Sequence, residues 1–140
     1  MEITVYQVQG KVPVTVLQPR GDLDAASYRD LIAKGQAAYK AGARDILLDL
    51  SAVPYMSSSG LVALHSLALL LRGEKLPNLE AGWGALRAVK EDSSQGLQPH
   101  LKLLNPQPKV DKALEMAGFK QFFAIYNDLA LAIAAFGGGG

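Results

Sequence analysis

Cysteine is absent from this chain of 140 residues, histidine occurs twice and tryptophan once. Without thiols the chain has no disulfide scaffold, no thiolate zinc site and no cysteine nucleophile, and only His65 and His100 offer imidazole to a metal. An excess of one charge is absent too, since 14 basic residues stand against 13 acidic ones. The sequence therefore lacks the electrostatic footprint of a nucleic-acid binder and requires no cofactor or metal. It favours a cytoplasmic protein that binds another protein or a small molecule.

Long apolar runs are also missing. The most apolar stretch, 61–71, contains His65 and Ser66 and is shorter than the roughly 20 residues that a bilayer span needs. The first residues show neither the basic start nor the apolar run of a secretory signal. We therefore expect no membrane insertion and a single domain, because this length suffices for one hydrophobic core but not for two ordinary domains.

The pattern of apolar residues predicts strands that alternate with helices, which is typical of an α/β domain. A helix is indicated where apolar or small residues recur from Tyr28 to Tyr39, with Asp24 as its cap and Gly42 at its end. The nearly continuous apolar run 46–50 favours a strand covered on both faces of a parallel sheet. The other elements are predicted as strands at 3–6, 12–17, 101–104 and 122–126 and as helices at 57–71, 108–117 and 128–136.

Three serines and a glycine, Ser57 to Gly60, open the second main helix. Ser57 or Ser58 is the natural N-cap, because a serine oxygen accepts a hydrogen bond from a free N–H group of the first turn. The same position suits a phosphoryl group, since free N–H groups and the positive end of the helix dipole converge there. Gly60 has no side chain, which would let a kinase or a partner approach the backbone closely. On local pattern alone, a simple cap is the commoner explanation.

Several stretches resemble the STAS domain of bacterial anti-sigma factor antagonists. They are Gly21-Asp22-Leu23-Asp24, the run ILLDLSAVPYMSSSGL from Ile46 to Leu61, Leu101-Lys102-Leu103-Leu104-Asn105, and Ala113-Leu114-Glu115-Met116-Ala117-Gly118-Phe119. The resemblance covers most of the chain and leaves an insert at 73–98 unmatched. It implies a single STAS-like α/β domain at 1–136, with a mixed four- to five-stranded sheet packed by about four helices. A glycine tail or linker stub at 137–140 follows it.

The resemblance also implies a function, that of an anti-sigma factor antagonist-like interaction switch rather than an enzyme. The serine that an anti-sigma kinase phosphorylates in the family falls on Ser58. The implied partner is an anti-sigma factor or related serine kinase, bound while Ser58 is unphosphorylated, with a phosphatase as a further partner and a homodimer left open. The implied contact residues are Asp22, Asp24, Ser57, Ser58, Ser59, Gly60 and Leu61.

One position departs from the family pattern. The family has an acidic residue before the phosphorylated serine, in Asp-Ser-Ser-Gly or Asp-Ser-Ala-Gly, and here that place is taken by Ser57. A serine can donate and accept hydrogen bonds but carries no charge. Two outcomes follow: the switch persists, with altered kinetics or with Ser57 or Ser59 as an accessory acceptor, or the domain has become a constitutive binder.

Other functions are also open to the sequence. A STAS module of a transport or signalling assembly would use the same surface for scaffolding or for a small ligand, without phosphorylation. A hydrolase with Ser58 and His65 as its nucleophile pair is the weakest alternative, since two helical turns separate them by about 10 Å. Trp83, inside the insert, suits either a partner anchor or a contact that pins the insert to the core.

Overall fold

A computed structural model describes residues 1–74 and 97–137 of the chain. Within these ranges it contains one sheet of five strands, in the order β1-β2-β3-β4-β5, and four α-helices. The strands are β1 (Glu2–Gln9), β2 (Pro13–Arg20), β3 (Ile46–Asp49), β4 (Leu101–Leu104) and β5 (Ile125–Tyr126). The helices are α1 (Tyr28–Lys40), α2 (Ser58–Leu71), α3 (Pro108–Met116) and α4 (Leu129–Ala135).

The sheet is mixed. β1 and β2 form an antiparallel hairpin, while β2, β3, β4 and β5 run parallel to one another. Helices α1 and α3 lie in the connections between successive parallel strands, and α2 follows β3 in the same way. All four residues of β3 are buried, as the predicted central strand requires. The predicted fold class, a mixed sheet of four to five strands with about four helices, is confirmed.

Two separate cores lie on the two faces of this sheet. Alternate residues of a strand point to opposite faces, so Leu48 packs into a large core with α1, α2 and α3, whereas Leu47 packs into a small core with α4. Helix α2 belongs to the large core and is buried along almost its whole length. The first turn of α2 follows the carboxyl end of β3, at the edge of the sheet where α/β domains commonly bind their ligands.

The strand predicted at 122–126 is wrong for most of its length. A 3₁₀ turn covers Phe119–Gln121, and only Ile125–Tyr126 forms a strand. The physical reason is aromatic packing: Phe119, Phe122 and Phe123 are buried in the large core, and the last two rings meet edge to face at 4.8 Å. Their spacing is that of a turn, and a run of apolar residues does not distinguish it from a buried strand.

Parts of the predicted organisation lie outside the described residues. The insert at 73–98 falls mostly in this category, as does Trp83 within it, because only residues 73, 74, 97 and 98 of the insert are described. In the tail, Gly137 has a φ of 72°, and a Cβ on it would come within 2.7 Å of Val12. This glycine therefore seats the end of α4 against the hairpin turn, while 138–140 are not described.

Candidate functional site

The candidate site is built from two loops that lie side by side at the carboxyl ends of β2 and β3. One loop, 21–27, leads into α1, and the other, 50–57, leads into α2. Three backbone hydrogen bonds of 2.9 Å join the loops, from Gly21 N to Ala52 O, from Leu23 N to Tyr55 O and from Ser57 N to Leu23 O. Because these bonds use main-chain atoms alone, they fix the relative position of the loops whatever the exposed side chains are.

Gly60 is buried where the first turn of α2 meets the other loop. A Cβ built on it would lie 2.5 Å from Cγ of Met56 and 2.9 Å from the carbonyl oxygen of Leu23. The second contact is with backbone, so a side chain here would displace the loop. From the sequence, the missing side chain of Gly60 predicts room for a partner. In the structure that room is occupied by the protein's own Leu23 and Met56. The predicted reason for the glycine, space for a partner, is therefore corrected. The close approach is instead made by the neighbouring loop of the same chain.

The three serines have different environments. Ser57 is the N-cap of α2, and its Oγ accepts a hydrogen bond from the backbone N–H of Ser59 at 3.2 Å, as the sequence predicts for a cap. Ser58, the first residue of the helix, is exposed, and its hydroxyl has no hydrogen-bond partner within 1–74 or 97–137. Ser59 is half-buried. Ser58 is therefore the most exposed of the three serines.

Two acidic residues flank the buried Leu23 in the neighbouring loop. Asp22 is exposed and Asp24 is half-buried. The expectation that Asp24 caps α1 is corrected, because the N-cap position belongs to Ser27. The Asp24 carboxylate instead closes the preceding turn, since its Oδ1 accepts hydrogen bonds from Ala26 N at 3.0 Å and from the Ser27 hydroxyl at 3.2 Å. Asp22 thus lies exposed on the surface of this loop, which is joined to the loop that leads into Ser58.

A polar cluster that no sequence pattern predicts lies under the second loop. The carboxylate of Asp49 is almost completely buried, and its oxygens accept hydrogen bonds from Ser51 N and from Nε2 of Gln18, both at 3.0 Å. The Nε2 group of Gln107 donates to the carbonyl oxygen of Ser51 at 2.7 Å. No motif identifies the two glutamines, which come from sequence-distant strands and loops.

Burial and the negative charge of Asp49 also act on Tyr6, which lies on the same face of the sheet. Both effects raise the pKa of the Tyr6 phenol above its ordinary value, burial being the larger. The phenol is therefore protonated at neutral pH, and the buried Asp49 charge is compensated by hydrogen bonds from neutral groups.

The residues considered for hydrolysis do not form a site. His65 is buried inside α2, with its ring 6.2 Å from that of Phe122, whereas Ser58 is exposed at the start of the helix. Among the described residues, no group of three or more His, Asp or Glu side chains is arranged to hold a metal ion. None of the helices in the same ranges is long and apolar enough to cross a membrane.

Together, the mixed five-stranded sheet and the helices that cover its two faces define a class of small α/β domains. The model of one family in this class, described as "Mlab, STAS domain", matches residues 6–78. This is more than half of the chain, and the chain therefore belongs to the STAS family. The resemblance inferred from the serine run and its neighbouring blocks is confirmed.

Comparison with solved structures confirms the fold. An anti-sigma factor antagonist from Mycobacterium paratuberculosis aligns with a TM-score of 0.64 at 20% identity, over 96% of this chain and 93% of that chain. SpoIIAA, an anti-sigma factor antagonist, aligns in its unphosphorylated form with a TM-score of 0.59 at 19% identity, over 94% and 93%. The phosphorylated form of SpoIIAA, a Bacillus cell fate determinant, gives 0.53 at 19% identity, over 94% and 96%. No curated protein sequence matches the chain.

Proposed function

We propose that this STAS protein is an anti-sigma factor antagonist-like interaction switch, which binds an anti-sigma factor or related serine kinase and is regulated by phosphorylation of Ser58. The observation that carries the proposal is the environment of Ser58. Its hydroxyl is exposed and unbonded within the described ranges, at the first position of a helix most of whose remaining residues are buried in the core. A reactive group on a rigid support is what a modifying enzyme and a binding partner both require.

The same environment favours Ser58 over its neighbours as the phosphate acceptor. The Ser57 hydroxyl accepts the capping bond from Ser59 N–H, so its modification would disturb the start of the helix. Ser59 is half-buried and less accessible to a kinase. Ser57 and Ser59 are accordingly accessory acceptors at most.

Phosphorylation would change the charge of this surface while leaving the fold intact. A phosphoryl group adds about −1.5 to −2 charges at pH 7, and the positive end of the α2 dipole stabilises it. The new charge would join the exposed carboxylate of Asp22 and the half-buried one of Asp24. A partner that docks on the unmodified surface would then meet repulsion and unfavourable desolvation, and a phosphatase would restore binding.

The proposed contact surface consists of the exposed and half-exposed parts of both loops and the first turn of α2. It comprises Asp22, Asp24, Ser57, Ser58, Ser59 and Leu61, with Gly60 beneath them as the residue that lets the loops approach each other. Tyr55, nearly half exposed, adds an aromatic side chain of the kind enriched at interfaces. A kinase that uses ATP places the complex in the cytoplasm.

A second function is favoured by one residue. Ser57 occupies the place where the antagonists have an acid, and α2 has no acidic residue in its first turn. In addition, the description of the matching family model, "Mlab, STAS domain", does not mention anti-sigma factor antagonists. A STAS scaffold or ligand-binding module of a transport or signalling assembly would use the same surface without phosphorylation.

Phosphate mapping separates these two functions. The protein is incubated with ATP and the anti-sigma kinases encoded in its own genome, and modified residues are identified by mass spectrometry in the wild type, in Ser58→Ala and in the matched control Ser59→Ala. We expect phosphate on Ser58, its loss in Ser58→Ala alone, and affinity for the kinase that falls roughly tenfold or more in Ser58→Asp. Tight kinase binding with no phosphate on residues 57–59 would reject the switch and leave the scaffold.

A further inference from the structure

Ser51 lies in the second loop, two residues after the end of β3, and side chains from two other elements converge on it. Its N–H donates to Oδ1 of Asp49, its carbonyl oxygen accepts from Nε2 of Gln107 at 2.7 Å, and Nε2 of Gln18 lies 3.5 Å from its hydroxyl oxygen. We propose that Gln107 is a positioning residue, which, with Asp49 and Gln18, holds the loop that leads into Ser58 in its binding geometry. This role rests on the proposed function of that loop.

Gln107 does not serve its own helix. It occupies the N-cap position of α3, where Ser, Thr, Asp or Asn would accept a bond from the first turn, but its side chain makes no capping bond. Pro108 follows at the first helical position and lacks an N–H group, which lowers the need for a cap. The Gln107 amide reaches across to Ser51 instead, 56 residues away in the sequence. A poor capping residue whose side chain is bonded elsewhere indicates a role in that second loop.

Asp49 supplies the other half of the arrangement, which we call the Ser51 clamp. The carboxylate is only 7% exposed, and within the described residues no Lys, Arg or His forms a salt bridge with it. Its charge is held by the N–H of Ser51 and the amide of Gln18. Because a buried carboxylate without hydrogen bonds would be costly, the carboxylate and the loop N–H fix each other.

The Ser51 clamp and the Ser57 cap fix opposite ends of the same loop. Between them, backbone bonds to the neighbouring loop hold Ala52, Tyr55 and Ser57. Those backbone bonds do not depend on side-chain identity, whereas the clamp does. Gln107 therefore links the start of α3, beyond β4, to the surface that presents Ser58.

The substitution Gln107→Ser tests this role, because serine can cap α3 but cannot reach Ser51. The thermal midpoint should stay equal or rise. Amide hydrogen exchange at Ser51, Val53 and Ser57 should accelerate about 3- to 10-fold, the effect of losing one hydrogen bond. Kinase affinity and the kcat/KM for Ser58 phosphorylation should fall by a similar factor. Gln107→Glu, which keeps the length of the side chain but cannot donate, should reproduce the exchange and binding results.

Gln121→Ser is the matched control, since Gln121 is an exposed glutamine in the 3₁₀ turn after α3, and it should leave loop exchange unchanged. Unchanged exchange in both Gln107 variants would overturn the proposal, as would faster exchange with unchanged kinase affinity. The exchange measurement needs no partner. If the wild type bound no kinase, the proposed function would fail while the exchange data still decided whether the clamp exists.

Discussion

The two faces of the sheet differ in what they bury. The face covered by α1, α2 and α3 packs a large apolar core, including the three phenylalanines at 119, 122 and 123, and its buried polar side chains in α2, His65 and Ser66, carry no carboxylate or ammonium group. The face covered by α4 carries a much smaller apolar cluster, and the buried carboxylate of Asp49 and the half-buried ammonium of Lys102 lie on it. The first face therefore supplies the rigid support of the site, and the second holds the polar groups that adjust the loop.

From this difference we infer that the large core stabilises the fold and the position of α2, whereas polar groups on the other face position the loop before α2. Helix α2 cannot shift without opening the large core, so the position of Ser58 relative to the sheet is fixed by packing. The loop that precedes it is fixed by hydrogen bonds from the other face, through Asp49 and Gln18. Polar networks specify geometry more than they add stability, which suits a loop that must present a binding surface.

Adjacent leucines of β3 provide the most severe test of the comparison. Leu48 and Leu47 are both fully buried, but the first points to the large core and the second to the small one. We expect Leu48→Ala to lower the free energy of unfolding by about 3 to 5 kcal/mol and Leu47→Ala by about 2 to 3 kcal/mol, because the short helix α4 can collapse into the cavity. Urea unfolding monitored by circular dichroism measures both. Equal losses would contradict the division into a rigid and an adaptable face.

The caps of α2 and α4 test the same difference between the two faces, with a smaller expected effect. Ser57 Oγ accepts from Ser59 N–H, and Asp128 Oδ1 accepts from Leu131 N–H at 2.9 Å. Replacing either residue by alanine should cost about 1 kcal/mol. For Ser57→Ala we expect the loss in global unfolding, since α2 is part of the large core. For Asp128→Ala we expect faster amide exchange in α4 alone. Ser57→Asp, which retains a capping oxygen, should unfold like the wild type, and a destabilised Ser57→Asp would argue against the cap.

Much of the fold could be predicted because its signals are local. The apolar stripe of α1, the buried run of β3 and the Ser57 cap each depend on residues close together in the sequence, and each prediction is confirmed. The error at 122–126 arose because an apolar run fits both a strand and a turn, and only the packing of Phe119 against Phe123 decides between them.

The site could be predicted in part for the same reason. Ser58 follows from the serine run, which is local, and from the family pattern. The clamp does not, because Gln18 and Gln107 reach Asp49 and Ser51 across 31 and 56 residues of sequence. Gly60 was recognised as a point of close approach, but a single sequence does not reveal that the approaching backbone is that of Leu23.

The smallest expected effect concerns Lys102, whose side chain lies on the face covered by α4, 5.2 Å from the ring of Phe136. Burial lowers the pKa of this ammonium group, and the attraction of Asp45 offsets the shift only in part. A lysine with a lowered pKa in the folded state destabilises the fold at neutral pH, and this penalty is relieved as the pH rises through the folded-state pKa towards 10.5, the ordinary value.

We therefore expect Lys102→Met to be slightly more stable than the wild type at pH 7, with a difference that shrinks as the pH rises. Urea midpoints of both proteins between pH 7 and pH 10 measure it. A difference that stays constant with pH would show that the ammonium of Lys102 is solvated. The carboxylate of Asp49, which binds the loop, would then be the charge that the second face buries.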